Sequence, residues 1–341
     1  MIPVPQSALE PLAQSFGTVA ASLSRFGSGQ EESDGIVYAY PYKDARRLLK
    51  IMAIPIKDQQ KGLFCLEERL QFMRFLGENG AHIAFPQLSP QGNLYETLLF
   101  EPYLWVGYSM EIAPGKTKKE DTWDVEFFRN WGQAIGMLHR LARQYRSWEA
   151  SVDPTSGEEL LTWHEEWAGF HSWCPDEKVK LKWVEIKQRL DALPIARDAF
   201  GFIHNDPHIW NLLVDGDRIT LLDFDVATHH WFINDIAIAC QNILIFLSGG
   251  MSRPVHNREK LLGFLSFFME GYEREHHLSS EWVDRLDLFI AYRRILLFTV
   301  MHGWIQSQPE LHTSWKQMIL SQPEVIGAFS IEGSPPQLRG G

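Results

Sequence analysis

Phe202-Ile203-His204-Asn205-Asp206-Pro207-His208-Ile209-Trp210-Asn211-Leu212-Leu213-Val214 enters on apolar residues, opens into a polar loop and leaves on an apolar strand. Its polar part reads His-x-Asp-x4-Asn. A turn, Asp215-Gly216-Asp217, follows, then a second apolar strand from Ile219 to Leu222 that ends in Asp223-Phe224-Asp225. Strand, turn and strand fold the chain back on itself, so Asp223 is expected to return beside Asn211.

These residue types at this spacing suit phosphoryl transfer. An incoming hydroxyl needs a carboxylate that orients it and takes its proton, and the phosphates of the donor need a hard divalent cation with oxygen ligands. Asp206 suits the first role; Asn211 and Asp223 suit the second. His204 and His208, four apart, allow a competing reading as a metal-binding pair on a helix, which Pro207 between them disfavours. An aspartate in a turn is also common without any catalytic role. It is the joining of the loop to the hairpin and its terminal Asp-Phe-Asp that raises the signal above chance.

Outward toward the N-terminus the chain is rich in strands. Ser7 to Phe26 has helical spacing, and Ile36 to Tyr40 and Arg47 to Ala53 flank a turn composition and read as a hairpin. In the second run Leu48, Lys50 and Met52 share one face, Leu49 and Ile51 the other. Leu63 to Glu78 reads as a helix with Leu66, Leu70, Met73 and Leu76 on one side and Gly80 past its end. Leu98 to Trp105 and Gly107 to Ile112 read as strands, and Pro114-Gly115 breaks the pattern. Beyond Gly115 the periodicity is helical: Val125 to Tyr145, Glu158 to Trp173, Lys178 to Leu193, a run from Ile233, then 258–274, 282–306 and 313–320. A small β-rich part followed by a larger α-rich part is the reading from pattern alone.

The loop and hairpin together resemble the aminoglycoside phosphotransferase and choline kinase family, which is distantly similar to protein kinases. The likeness runs in order of elements over roughly residues 25 to 305 and is sharp over 202 to 240. The family loop usually reads HGDLHxxN with an IDF- or IDW-type segment after it; here the chain has HNDPHIWN and LLDFD. The resemblance implies an α+β, protein-kinase-like, two-lobed fold: a nucleotide-binding antiparallel-sheet lobe over 1–112, a helical catalytic and substrate lobe over 113–330, and a disordered tail over 331–341. It makes Asp206 the catalytic base, His204 a support of the loop, and Asn211 and Asp223 the Mg²⁺ ligands. Asp235 would brace the loop from a helix start, a position where aspartate is also favoured as a plain cap. Lys50 would reach the nucleotide phosphates, with Glu67 as its partner by helical phase and Glu68 as the rival. Glycine loop 27–30, with Gly29, resembles the loop that covers the nucleotide. In the segment from Tyr108 to Gly115, the backbone of Glu111 and Ala113 would hold adenine, with Met110 against it. Leu138-His139 matches a helix ending that is structural in the family. Asn205, Pro207 and Trp210 depart from the family's usual residues, yet no catalytic group is missing.

Composition bounds the rest. The 341 residues are 45% hydrophobic and 22% charged, as in a globular chain long enough for two cores. A net charge of −11 argues against a nucleic-acid partner, whose phosphates need Lys and Arg. Cys65, Cys174 and Cys240 are scattered and form no CxxC pair, so reduced thiols and a cytoplasmic setting are expected. The first residues carry no basic-then-apolar leader, and apolar runs such as Ile236 to Leu247 are interrupted by Gln and Asn, so no membrane association is expected. The thirteen tryptophans suit either a filled core or aromatic walls around a ligand.

The expected activity is therefore transfer of the γ-phosphate of ATP, with GTP as the other donor, to a hydroxyl of an aminoglycoside-, choline- or hydroxy-amino-acid-like small molecule. Acceptor-lining candidates are Trp163, Glu166, Trp231, Phe232, Tyr292 and Arg293. Two alternatives stand beside it. A protein Ser/Thr kinase would carry an APE-like segment and an activation loop, neither of which follows Asp223. A non-catalytic nucleotide-binding scaffold would not need the intact Lys50, Asp206, Asn211 and Asp223 set.

Overall fold

The structure is a computed structural model that describes residues 2–27, 35–145, 161–248 and 258–327. Chain contacts divide it into two compact units. The first comprises residues 1–115 with Thr220–Asp225; the second comprises 116–219 and 226–341.

In the first unit α1 (Gln6–Ser15) precedes six strands: β1 (Ser24–Arg25), β2 (Ile36–Tyr42), β3 (Ala45–Pro55), β4 (Pro86–Gln87), β5 (Glu96–Phe100) and β6 (Tyr103–Glu111). They form one antiparallel sheet in the order β1-β2-β3-β6-β4, with β5 also on β6. Two-residue periodicity decides what each face carries. Leu49 and Ile51 turn to one side and pack with Tyr40, Trp105, the α1 residues Ala8 and Leu12 and the helix-capping Phe16 into a buried cluster. Lys50 and its register partner Tyr108 turn to the other. α2 (Gln59–Glu78) buries Leu66, Leu70, Phe72, Met73 and Leu76, its expected face with Phe72 added. One strand boundary differs from expectation. The break lies at Glu101-Pro102, not at Val106, because a proline has no N–H for the ladder. Val106 and Gly107 are interior to β6.

The second unit is mainly helical: α3 (Val125–Tyr145), α4 (Trp163–Trp173), α5 (Glu177–Asp191), α6 (Ile233–Ser248), α7 (Arg258–Tyr272), α8 (Ser280–Val283), α9 (Leu286–Val300), α10 (His302–Gln306) and α11 (Pro309–Ser321). Residues 158–160 of the expected Glu158–Trp173 helix and the tail 331–341 lie outside the described residues. The long helix expected over 282–306 is three pieces. Arg285 and Met301 sit with ψ near zero (0° and 7°), and since neither is Gly or Pro, the apolar pattern reads straight through both breaks. β7 (Phe200–Ile203) pairs antiparallel with β10 (Thr228–Trp231), Ile203 opposite Thr228. β8 (Leu212–Asp215) and β9 (Arg218–Leu221) pair across a turn in which Gly216 takes φ 60°. Among the described residues no helix is long and apolar enough to cross a membrane.

Helices α3 and α7 meet backbone to backbone. A Cβ built on Gly132 would stand 1.8 Å from the Phe268 carbonyl oxygen, one on Gly271 1.8 Å from that of Arg129, and one on Gly136 2.4 Å from that of Tyr272. Alanine normally strengthens a helix interior by about 1 kcal/mol over glycine. Here the sign reverses, because backbone cannot yield as a flexible side chain does. Gly132→Ala is expected to lower unfolding free energy by roughly 1–3 kcal/mol, read from the urea midpoint. A gain in stability would show that the helices do not cross this closely.

Candidate active site

The first unit supplies an ion-paired lysine. Lys50, 5% exposed, lies mid-strand in β3, where the ladder on both sides holds its stem. Its ammonium donates to one oxygen of Asp225 and lies 3.8 Å from Asp223. Tyr108 donates its hydroxyl to the other Asp225 oxygen at 3.1 Å. Burial works against the charge on Lys50, but the Tyr108 oxygen, Asp225 and Asp223 outweigh it and hold the lysine well above its ordinary pKa. Burial likewise opposes ionisation of Asp225, and Lys50 overcomes it, so that carboxyl sits below its usual range. Asp223 takes φ 60°, a left-handed backbone that Asp tolerates better than most residues, and its side chain is half exposed. Phe224 between them is buried against Phe72 of α2, rings 6.2 Å apart.

Glu67, expected beside Lys50, instead accepts from Gln71 at 3.1 Å and from the Tyr95 hydroxyl at 3.4 Å. The Lys50–Glu67 pair is not formed; Asp225 takes that place. Met110 lies on β6 opposite Leu48 and Pro86. Glu111 closes β6, with its N–H on the Phe85 carbonyl, and Ala113 follows beyond the ladder. Gly29 lies outside the described residues.

The second unit carries the loop from His204 to Asn211, and a buried aspartate sets its shape. Asp235, at the start of α6 and 0% exposed, accepts the backbone N–H of His204 at 3.2 Å and of Asn205 at 2.8 Å. The same carboxylate meets His139 Nε2 at 3.1 Å, and His139 Nδ1 meets the Tyr272 hydroxyl at 2.8 Å. Burial lowers the pKa of His139 despite Asp235, so the neutral ring donates from Nε2 and accepts at Nδ1. Helices α3, α6 and α7 are thus tied to the loop through one chain of hydrogen bonds. Asp206 N–H donates to His204 Nδ1 at 3.3 Å, which gives His204 its supporting place. Asn211 donates its amide N–H to the Asp206 carbonyl at 2.9 Å. This orients the amide so that its oxygen, the atom able to ligate a cation, is turned the other way.

Asn205 stands where the family usually has glycine, and its φ of 66° explains why. Asn is among the few side chains that enter this region readily. It adds contacts a glycine lacks: its amide N–H donates to Glu166 and to the Val226 carbonyl (3.1 Å), and its oxygen accepts from Asn234 at 2.8 Å. Asn205→Gly should therefore cost about 1–3 kcal/mol in lost hydrogen bonds, and Asn205→Ala about 1–2 kcal/mol more in backbone strain. Thermal melts of the two variants measure the difference; equal melting temperatures would refute the strain.

Asp206 is 24% exposed at its side chain and Arg293, on α9, 11%. The guanidinium donates to Asp206 Oδ1, and His208 Nε2 lies 3.4 Å from Oδ2. Burial disfavours the carboxylate, but Arg293 and His208 prevail and hold Asp206 well below the usual carboxyl range. Tyr292, next to Arg293, donates to Glu166 at 2.6 Å; burial, the leading influence, raises the Glu166 carboxyl. Three acceptor-lining candidates, Glu166, Tyr292 and Arg293, thus gather at the loop. Trp163, Trp231 and Phe232 do not. They are at most 1% exposed, Trp163 and Trp231 ring to ring at 5.1 Å and Phe232 stacked on His139, and so are packing.

One residue, Asp225, and one pairing escaped the sequence reading. Asp225 had a signal, since it ends the Asp-Phe-Asp triplet. The pairing of Arg293 with Asp206, 87 positions apart, had none.

As for a divalent cation, Asn211 and Asp223 offer amide and carboxylate oxygens, the hard donors that Mg²⁺ prefers. Among the described residues no three His, Cys, Asp or Glu converge as a metal cage. By donor type, each of the two residues fits the ion.

The first unit thus carries a lysine ion-paired on a sheet strand, and the second an aspartate on a loop held by a helix start, both features that the family resemblance led one to expect. The sequence model described as the phosphotransferase enzyme family matches residues 65–275, more than half the chain, and this chain belongs to that family. It is a phosphotransferase with an alcohol group as acceptor. A curated relative, amicoumacin kinase of Bacillus subtilis (strain 168), is 26% identical over 243 residues, 68% of each protein. Among solved structures, amicoumacin kinase hAmiN in complex with AMP-PNP, Ca²⁺ and Ami has a TM-score of 0.76 at 24% identity, covering 91% of both chains. The microcompartment-associated aminopropanol kinase has a TM-score of 0.61 at 15% identity, covering 91% of this chain and 92% of the other. The fold is that of the protein-kinase-like phosphotransferases, an antiparallel-sheet N-terminal part and a helical C-terminal part.

Proposed function

We propose that the chain transfers the γ-phosphoryl group of ATP to a hydroxyl of an amine-bearing small molecule, with Asp206 as the base and Mg²⁺ held by Asn211 and Asp223. The observation that carries this reading is the Asp206 carboxylate, paired with Arg293 and partly open to solvent, on a loop whose backbone is pinned by Asp235. The relative named for amicoumacin supports a small-molecule acceptor and the one named for aminopropanol an acceptor that carries an amine, and the Glu166 carboxylate, close enough to Asp206 to feel its charge, suits such a group.

In this mechanism the acceptor hydroxyl donates to Asp206 Oδ2. Its oxygen bonds to the γ-phosphorus, the bond from that phosphorus to the β–γ bridging oxygen breaks, ADP leaves, and the proton passes to Asp206. Lys50 would turn from Asp225 to the phosphates. The backbone of Glu111 and Ala113 would hold the adenine, Met110 would pack against it, and Gly29 would belong to the covering loop. Bound Mg²⁺ would screen the phosphate charge and polarise the phosphoryl oxygens.

A panel of amicoumacin, amino alcohols and a Ser/Thr peptide, each with ATP or GTP and Mg²⁺, tests the reading through product mass and ³¹P resonance. A phosphorylated amine-bearing alcohol is the expected product. Peptide phosphorylation alone would favour a protein kinase. Thermal stabilisation by nucleotide with no product from any acceptor would favour a nucleotide-binding scaffold.

A further inference from the structure

The loop from His204 to Asn211 contains no lysine or arginine, yet a cation meets its aspartate from a distant helix. The backbone of Asp206 is fixed by its N–H on His204 Nδ1 and by its carbonyl, which accepts from Asn211 Nδ2 at 2.9 Å and from the His208 N–H at 2.8 Å. Those contacts set where Asp206 sits but not how its carboxylate turns. Rotation is restrained at Oδ1 by Arg293 and at Oδ2 by His208, whose 3.4 Å approach is long for a hydrogen bond. Arg293 is therefore the firmer restraint, and with Oδ1 taken, Oδ2 is the oxygen left for an acceptor. Arg293 is itself held: it is largely buried, and Tyr292 beside it on α9 reaches Asn205 through Glu166. Two consecutive side chains of one helix thus grip two consecutive residues of the loop.

We propose that Arg293 is a positioning residue for the transfer, acting through Asp206 by holding its carboxylate so that Oδ2 faces the acceptor hydroxyl. This rests on the reading of Asp206 as the base. Arg293 keeps its protons throughout; the acceptor's proton goes to Oδ2, and the bonds made and broken are those given above. A guanidinium suits the task because its planar fork directs its N–H groups, whereas an ammonium attracts without orienting.

The test is a cycle of four proteins: wild type, Arg293→Gln, Asp206→Asn and the double variant. Misplacing a reacting group by an ångström costs up to about 100-fold, so R293Q should lower kcat by roughly 10–100-fold and leave both KM values within about threefold, as expected when a transition-state contact is lost. In the D206N background the same change should cost nothing further, and Arg293→Lys should recover part of the loss. A wild-type kcat in R293Q with D206N inactive overturns the role of Arg293 and leaves Asp206 in place. A wild-type kcat in D206N removes the base reading itself. An equal loss from R293Q in both backgrounds marks a structural effect and also overturns the proposal. Should R293Q fail to fold, the cycle with R293K decides: a severalfold loss with Asp206 intact and none in the D206N background supports positioning, and any other pattern rejects it.

Discussion

Asp206→Asn is expected to lower turnover by about 10²–10⁴-fold, the usual worth of a positioned general base, while the protein still melts cooperatively. Asparagine has nearly the same shape, and the clamp on the loop does not use the Asp206 side chain. Asp235 holds the neighbouring backbone, and Asn211 bonds the Asp206 carbonyl. What changes is the carboxylate, which the amide replaces with a group that cannot take the acceptor's proton. Arg293 loses its ionic partner but retains an amide oxygen as acceptor, so a modest loss of stability accompanies the loss of rate. Steady-state kinetics on whichever acceptor the panel identifies measures the first quantity and a thermal melt the second. A folded variant with turnover within a fewfold of wild type would sink the assignment.

The largest expected effect on stability is that of Asp235→Ala. The side chain is fully buried, and removing it strands two backbone N–H groups and the His139 ring at once. Each unsatisfied buried donor costs about 1–3 kcal/mol, and leaving a cavity adds to this, so a loss of roughly 3–5 kcal/mol is expected from the urea midpoint. His139 is held neutral by burial, so the variant leaves no unpaired positive charge there. Asp235→Asn keeps an acceptor oxygen for one of the N–H groups and should fall between wild type and alanine. The loop conformation depends on the same contacts, so activity should fall with stability in both variants. An alanine variant with an unshifted midpoint would mean that the loop holds its shape without the helix beneath it.

Much of the site lay in short stretches of sequence. The His-x-Asp-x4-Asn spacing, the hairpin after it, the Asp-Phe-Asp end and the aspartate at the start of α6 are local patterns. The same holds for Lys50 in mid-strand, because strand parity assigns its face. The start of α3 at Val125 and its helical course through the described residues came through for a related reason: the apolar stripe of an amphipathic helix repeats over many turns. The strand break at Pro102 was legible in principle, since proline interrupts a ladder. The breaks at Arg285 and Met301 were not, because ordinary residues in an ordinary apolar run carry no mark of a bridge conformation.

By itself, the order of residues determined a small β-rich part followed by a larger α-rich part, because periodicity is local, and its resemblance to a known family over a few dozen positions pointed to the kind of fold and to the groups proposed above for the chemistry. Only the tertiary structure decided that Asp225 rather than Glu67 pairs with Lys50, that Arg293 grips Asp206, and that Trp163, Trp231 and Phe232 are core. Those outcomes depend on which buried charges and rings lie within a few ångströms after folding. Coulomb attraction and packing act through space, and nothing in the local sequence of either partner records the distance.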